Sequence, residues 1–168
     1  MLREEDVIPR IELVRELGVP PLLFGMTISE ARVAMQTWGT LYDTPDNPSG
    51  MSRLNARDDA FNHDIYANFE GGDRVTSIEI WRPEHGPDSP PPSVVFGDID
   101  IFALPADEVV DTLRQRGHEV DATDVYFPFF NDIALGFNRS GGDEVTDDDE
   151  GLALFFRSVV IAPPGYYD

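Results

Sequence analysis

Two stretches of this chain follow one plan. Thr27-Ile-Ser-Glu-Ala-Arg-Val-Ala-Met-Gln-Thr-Trp-Gly39 is answered 78 positions later by Pro105-Ala-Asp-Glu-Val-Val-Asp-Thr-Leu-Arg-Gln-Arg-Gly117. Glu30 corresponds to Glu108, Ala31 to Val109, Met35 to Leu113 and Gly39 to Gly117. Ile28, Ala31 and Met35 share a helical face, as do Ala106, Val109 and Leu113, because side chains three and four residues apart stack on one side of a helix. The pattern is an amphipathic helix used twice. Two further echoes keep the same order: Asp64-Ile-Tyr-Ala-Asn-Phe69 with Asp132-Ile-Ala-Leu-Gly-Phe137 at an offset of 68, and Ser77-Ile-Glu-Ile with Ser158-Val-Val-Ile at an offset of 81. Matches that keep their order while the offset drifts are what duplication followed by loop divergence leaves.

The intervening segments supply the rest of each unit. Val7, Ile11 and Val14, with Ile8 and Leu17 adjoining, predict a short N-terminal helix closed by Gly18 and Pro20-Pro21. Thr27 is placed to cap the next helix, with Glu30 reaching back as the other half of a capping box. That helix runs to about Trp38 and stops at Gly39. Residues 40 to 63 show no clear period and read as a long loop with at most an irregular edge segment. From Asp64 the period becomes two. Ile65, Ala67 and Phe69 point one way and Tyr66 and Asn68 the other, and after a turn at Glu70–Asp73 the chain returns over Val75–Trp81. Five prolines between Pro83 and Ser93 cannot sit inside a sheet and predict an extended connector. The second unit opens with Val94-Val-Phe-Gly and an Ile99/Ile101 alternation, and Pro105 is expected at the first helical position. The expected organisation is α+β: two tandem repeats, each a helix packed on one face of an antiparallel β-sheet. Residues 1–82 form the N-terminal helix and first repeat, 83–93 the linker, and 94–168 the second repeat.

Charge narrows the partners. A formal charge of −20, from 32 acidic and 12 basic residues, repels phosphate backbones and anionic lipid, so neither nucleic acid nor membrane is an expected partner. A basic protein is the class such a field steers. Residues 140–151, with six carboxylates, read as an extended hairpin tip. There is no cysteine, which removes disulfides, thiolate metal sites and a cysteine nucleophile together. The opening Met1–Arg10 has no basic and then apolar leader pattern, and no run approaches the roughly 18 apolar residues of a membrane span. A cytoplasmic protein is expected.

No motif carries a catalytic or cofactor signature. His63, His85 and His118 are isolated and lack the spacing of a helical metal site. Asp98-x-Asp100 and Asp147–Glu150 do not continue into a calcium-loop pattern. There is no nucleophile elbow, P-loop or dinucleotide fingerprint. The expectation is no catalytic residue, no metal and no cofactor. The aromatics say more. Strand alternation sends Tyr66 and Trp81 to the side that Ile65, Ala67, Ile78 and Ile80 leave, and Tyr126 and Phe129 lie in a second aromatic cluster. Such side chains are either capped by loops or used at interfaces, where they bury large area at low entropic cost. Tyr66, Trp81, Tyr126 and Phe129 are the candidate partner-binding residues.

Gly25-Met26-Thr27 with Glu30, the helix ending at Trp38-Gly39 and the hairpin that follows resemble the repeat unit of the β-lactamase inhibitor protein superfamily. The tandem pair and the length are closer to those inhibitors than to the similar single-repeat outer-membrane assembly lipoproteins. The resemblance implies two helix-plus-sheet units side by side, with the joined sheets presenting a concave face to a protein. The inhibitors are secreted and disulfide-bonded, so a chain without cysteine would be a cytoplasmic relative, of actinobacterial type by composition, and no single binding residue carries over. The function expected is a non-enzymatic, acidic protein-binding module of the inhibitor or immunity kind. The alternative is an enzyme or small-ligand binder using a cleft between the repeats.

Overall fold

The computed structural model describes residues 10–44, 51–58, 63–70, 72–82, 93–140 and 151–166. In order these form β1 (Arg10–Leu13), β2 (Gly18–Val19), β3 (Leu22–Leu23), α1 (Ile28–Met35), β4 (Thr40–Thr44), β5 (Met51–Asp58), β6 (His63–Glu70), β7 (Ser77–Trp81), β8 (Ser93–Phe96), β9 (Ile99–Asp100), α2 (Ala106–Gln115), β10 (Phe129–Phe130), β11 (Leu135–Asn138) and β12 (Ser158–Ile161). The class is α+β. One antiparallel sheet of seven strands, in the order β10-β11-β12-β7-β6-β5-β4, is accompanied by a three-stranded sheet, β1-β8-β9, and the β2–β3 pair.

The seven strands share one register of faces. Leu41, Ala56, Ile65, Ile80, Val159 and Phe137 stand opposite one another in one cross-strand row, and Leu54, Ala67, Ile78, Ile161, Leu135 and Phe130 in the next. Partners in a row project to the same side, so the alternation in each strand builds one continuous apolar face. Both helices are buried against the same core: Ala31 and Met35 of α1 and Ala106, Val109 and Leu113 of α2 belong to one cluster with these rows and with Ile11, Leu13, Val94 and Ile99 of the small sheet. Phe137 is stacked on Phe156 at 4.3 Å and meets the edge of Phe130 at 6.1 Å. Gly18 sits where β2 crosses β7. Its φ is +127°, and a Cβ there would lie 2.7 Å from the Leu22 carbonyl oxygen and 3.3 Å from Ile78 Cδ1, so a larger residue would clash with the backbone of its own β2–β3 pair and crowd β7.

The capping box at α1 is present. Thr27 Oγ1 accepts from the Glu30 N–H at 3.3 Å, and the Thr27 N–H donates to Glu30 Oε1 at 3.1 Å. Those donors hold the Glu30 carboxyl below its ordinary pKa, first the Thr27 N–H and then its hydroxyl. Helix α2 starts differently. Pro105 is the cap residue, one position ahead of the expected first helical residue, and contributes no side-chain cap. The Ala106 N–H instead donates to the Leu154 carbonyl at 2.8 Å, so a tertiary contact satisfies an end that the local sequence leaves open.

Two expectations are overturned. The N-terminal helix is a strand: Arg10–Leu13 alternates exposed and buried and pairs in parallel with Ser93–Phe96, a partner about half the chain away that period counting cannot see. Val7 and Ile8 lie outside the described residues. The stretch read as a loop over 40–63 contains β4 and β5, with Leu54 and Ala56 buried between Arg53, Asn55 and Arg57. Its apolar residues are few and widely spaced, and pairing on both sides of β5 supplies what side-chain hydrophobicity does not. Asn131–Ile133, part of the Asp132–Phe137 echo, is a 3₁₀ turn leading into β11. The connector prolines Pro83–Pro92 and the acidic tip 141–150 lie outside the described residues; the segments on either side of the connector meet in one sheet through β7 and β12.

Candidate functional site

Turning the sheet over exchanges every row. On the face opposite the core, Tyr42, Asn55, Tyr66, Glu79, Val160, Gly136 and Phe129 form one cross-strand row, and Arg57, Asp64, Trp81, Ser158 and Asn138 form a neighbouring one. This face is polar and aromatic, and its side chains are tied together. The Trp81 indole N–H donates to Glu79 Oε1 at 3.0 Å, and Arg53 Nη2 donates to the same oxygen at 2.8 Å. Arg53 Nε donates to Asn68 Oδ1 at 2.8 Å, and Asn68 Nδ2 donates to Ser77 Oγ at 3.0 Å. The Arg53 guanidinium lies 4.1 Å from the centre of the Tyr66 ring. Beside them Asn55 Nδ2 donates to Asp64 Oδ1 at 3.2 Å. A line of hydrogen bonds therefore crosses three strands from Trp81 to Ser77.

Local sequence explains each position. Arg53, Asn68 and Ser77 are register partners across β5, β6 and β7, and Glu79 is opposite Tyr66. Antiparallel pairing brings such residues within about 5 Å of one another, close enough for a guanidinium to bridge both neighbours. Arg53 and Glu79 are shielded, with 28% and 18% of their side chains exposed, so their pairing is less screened than a surface ion pair. Burial pushes the Tyr66 phenol up, and the Asp64 carboxylate adds to this while Arg53 opposes it. Ser77 is fully buried on this face and Asn68 nearly so, which is tolerable because each is hydrogen-bonded, Asn68 to Arg53 and to Ser77.

The four aromatics named from sequence fall into two settings. Tyr66 and Trp81 sit side by side in the middle of the helix-free face, both half-buried. Phe129 is in the same row as Tyr66 but at the far edge, four strand spacings or roughly 19 Å away. Tyr126 is exposed in the turn that leads into β10, which the Asp124 carboxylate holds by accepting the Tyr126 N–H at 3.0 Å. The residues that sequence reasoning missed are Arg53, Asn68, Ser77 and Glu79. Arg53-Leu-Asn-Ala-Arg57 does alternate, but five residues are too short a signal to stand out from the aperiodic stretch around them.

An open hollow of about 850 Å³ lies at the β10 edge, lined by Glu119, Asp121, Thr123, Phe129, Asn131 and Asp132 among others. It falls within residues 117–132, not in a cleft between two halves. His118 Nδ1 is 2.6 Å from Asp132 Oδ2 at its margin. The Thr123 N–H, then its hydroxyl, hold the Asp121 carboxyl below the usual range. Among the described residues no three histidine or carboxylate side chains are grouped to hold a metal ion, and no helix is long and apolar enough to cross a membrane. His63 has its backbone in β6, and His85 lies outside the described residues. Comparison with models of protein families, with curated proteins and with solved structures finds no match to this chain.

Proposed function

We propose that this chain is a non-enzymatic, acidic protein-binding module of the inhibitor or immunity kind, which receives a basic protein partner on the helix-free face of its seven-stranded sheet. The observation that carries the reading is the bonded line Trp81, Glu79, Arg53, Asn68, Ser77 with Tyr66 beneath the guanidinium. It holds two large rings and an arginine in place, half-exposed, on a face that both helices leave uncovered. Tyrosine, tryptophan and arginine are the side chains that most often dominate binding energy, and holding them before docking lowers the entropic cost of ordering them. The charge of −20 then selects a basic partner and hastens encounter. A cytoplasmic location belongs to this proposal.

The two-repeat organisation belongs to the same reading. The β6–β7 and β11–β12 pairs meet at the middle of the sheet, and each is preceded by an amphipathic helix. Duplication would leave that order, and it is the arrangement that kinship with the inhibitor superfamily would require. The competing reading, a small-ligand or enzymatic site, has its best support in the hollow beside His118 and Asp132.

Affinity capture from a bacterial cytoplasmic extract, followed by calorimetry with the captured protein, tests the proposal. Wild-type chain should retain a basic partner, and Trp81→Ala, still folded by circular dichroism, should lose most of the affinity. Equal affinity of the two chains would remove the face from consideration.

A further inference from the structure

We infer that the C-terminal turn Pro163–Tyr166 is a strap lying across the Glu70–Ser77 end of the helix-free face, which a partner occupying the whole face has to displace. The inference rests on the docking face proposed above, and the turn itself is written into the local sequence. Strand β12 ends at Ile161 opposite Ile78, so the chain leaves the sheet beside Ser77. There Pro164 precedes Gly165, whose φ is +87°, and the Tyr166 N–H returns to the Pro163 carbonyl at 3.3 Å. Proline followed by a positive-φ glycine inside such a four-residue loop is the signature of a type II turn, and it reverses the chain back onto the sheet. The Tyr166 hydroxyl then donates to Glu70 Oε1 at 2.6 Å. Glu70 follows Tyr66 and Asn68 at the two-residue period of β6, so it projects from the same face.

The strap is continuous with the cluster. The Ser77 hydroxyl and the Glu79 carboxylate both act on the Tyr166 phenol, which puts the ring at the Ser77 end of the line that runs through Asn68, Arg53 and Glu79 to Trp81. Burial, and then the bond to Glu70, push the phenol up to about 12. The contact costs little to open. Pro163–Tyr166 is at most half-buried, and the Tyr166 hydroxyl ties it to the face through Glu70. It occupies a carboxylate that an incoming basic side chain would otherwise take.

Two measurements on the full chain test this. First, phenolate absorbance is titrated in wild-type chain and in Tyr166→Phe, and the difference isolates one phenol. A midpoint near 12 places the ring on the face, whereas a midpoint near the ordinary value of about 10 overturns the strap whatever the partner. Second, a hexa-arginine peptide is titrated into wild type, Tyr166→Phe and Gly165→Val at about 0.15 M salt, where long-range attraction is screened. The valine, β-branched and forced to positive φ, undoes the turn. Both variants should bind the peptide about fivefold more tightly than wild type, the factor for one net hydrogen bond. Equal affinity in all three chains, or no binding by any, overturns the strap. If the variants tighten while Trp81→Ala leaves the peptide's affinity unchanged, the strap stands and the aromatic docking reading falls.

Discussion

The two faces of the seven-stranded sheet are made by the same strands, yet they are organised by different physics. On the covered face, Ile65, Ala67, Ile78, Ile80, Val159 and Ile161 are excluded from water, and any apolar side chain of suitable volume would serve almost as well. On the other face, Arg53, Glu79, Asn68 and Ser77 each have a named partner at hydrogen-bond distance, and no isosteric exchange would preserve the geometry. The first arrangement is non-directional and stabilises the fold; the second is directional and positions side chains. Substitutions on the two faces should therefore be separable, stability being lost on one and binding on the other.

The largest expected effect is on the covered face. Phe137→Ala removes a ring stacked on Phe156 and edge-on to Phe130 and should destabilise the fold by about 3–5 kcal/mol in urea unfolding. A cost below about 1 kcal/mol would mean that the rings can collapse into the space and that this face is less tightly specified than described. Next comes Trp81→Ala on the open face, which should weaken a partner by roughly 30-fold, about 2 kcal/mol, with the thermal transition still cooperative. Loss of the fold instead of the partner would merge the two faces into one core.

A smaller effect is expected from the bridge between strands. Arg53→Met should cost about 1 kcal/mol, since it gives up the partly shielded pairing with Glu79 and the stacking on Tyr66. A double-mutant cycle with Glu79→Gln should then show non-additivity of similar size; strict additivity would mean that the guanidinium and the carboxylate act independently. The smallest effect is the pH dependence of the strap. Burial and Glu70 favour the neutral Tyr166 phenol, so the folded chain retains a proton that the unfolded chain releases near pH 10. Stability from this group is fully present below pH 10 and is lost as pH rises through about 12. Denaturation midpoints across that window should fall less in Tyr166→Phe than in wild type, and parallel curves would contradict the contact.

Helices α1 and α2, the β6–β7 hairpin and strand β12 were legible in the sequence because their information is local. A three-to-four period, the Thr27–Glu30 capping box and a two-residue alternation each fall within a dozen residues. The same alternation sufficed to send Tyr66 and Trp81 to the uncovered side. Strands β1 and β5 were not legible, because β1 is stabilised by a partner across the chain at Ser93–Phe96 and β5 by neighbours on both edges, and period counting registers neither. The site divides along the same line. Sequence determined which rings leave the core, since the direction of a side chain on a strand is set by parity. Only the tertiary structure decided that Arg53 comes to rest over Tyr66, that Glu79 receives Arg53 and Trp81 together, and that Tyr166 returns to Glu70 across 96 residues. Those contacts depend on register between strands, and register is settled by the summed pairing of the whole sheet, a quantity no single stretch of sequence contains.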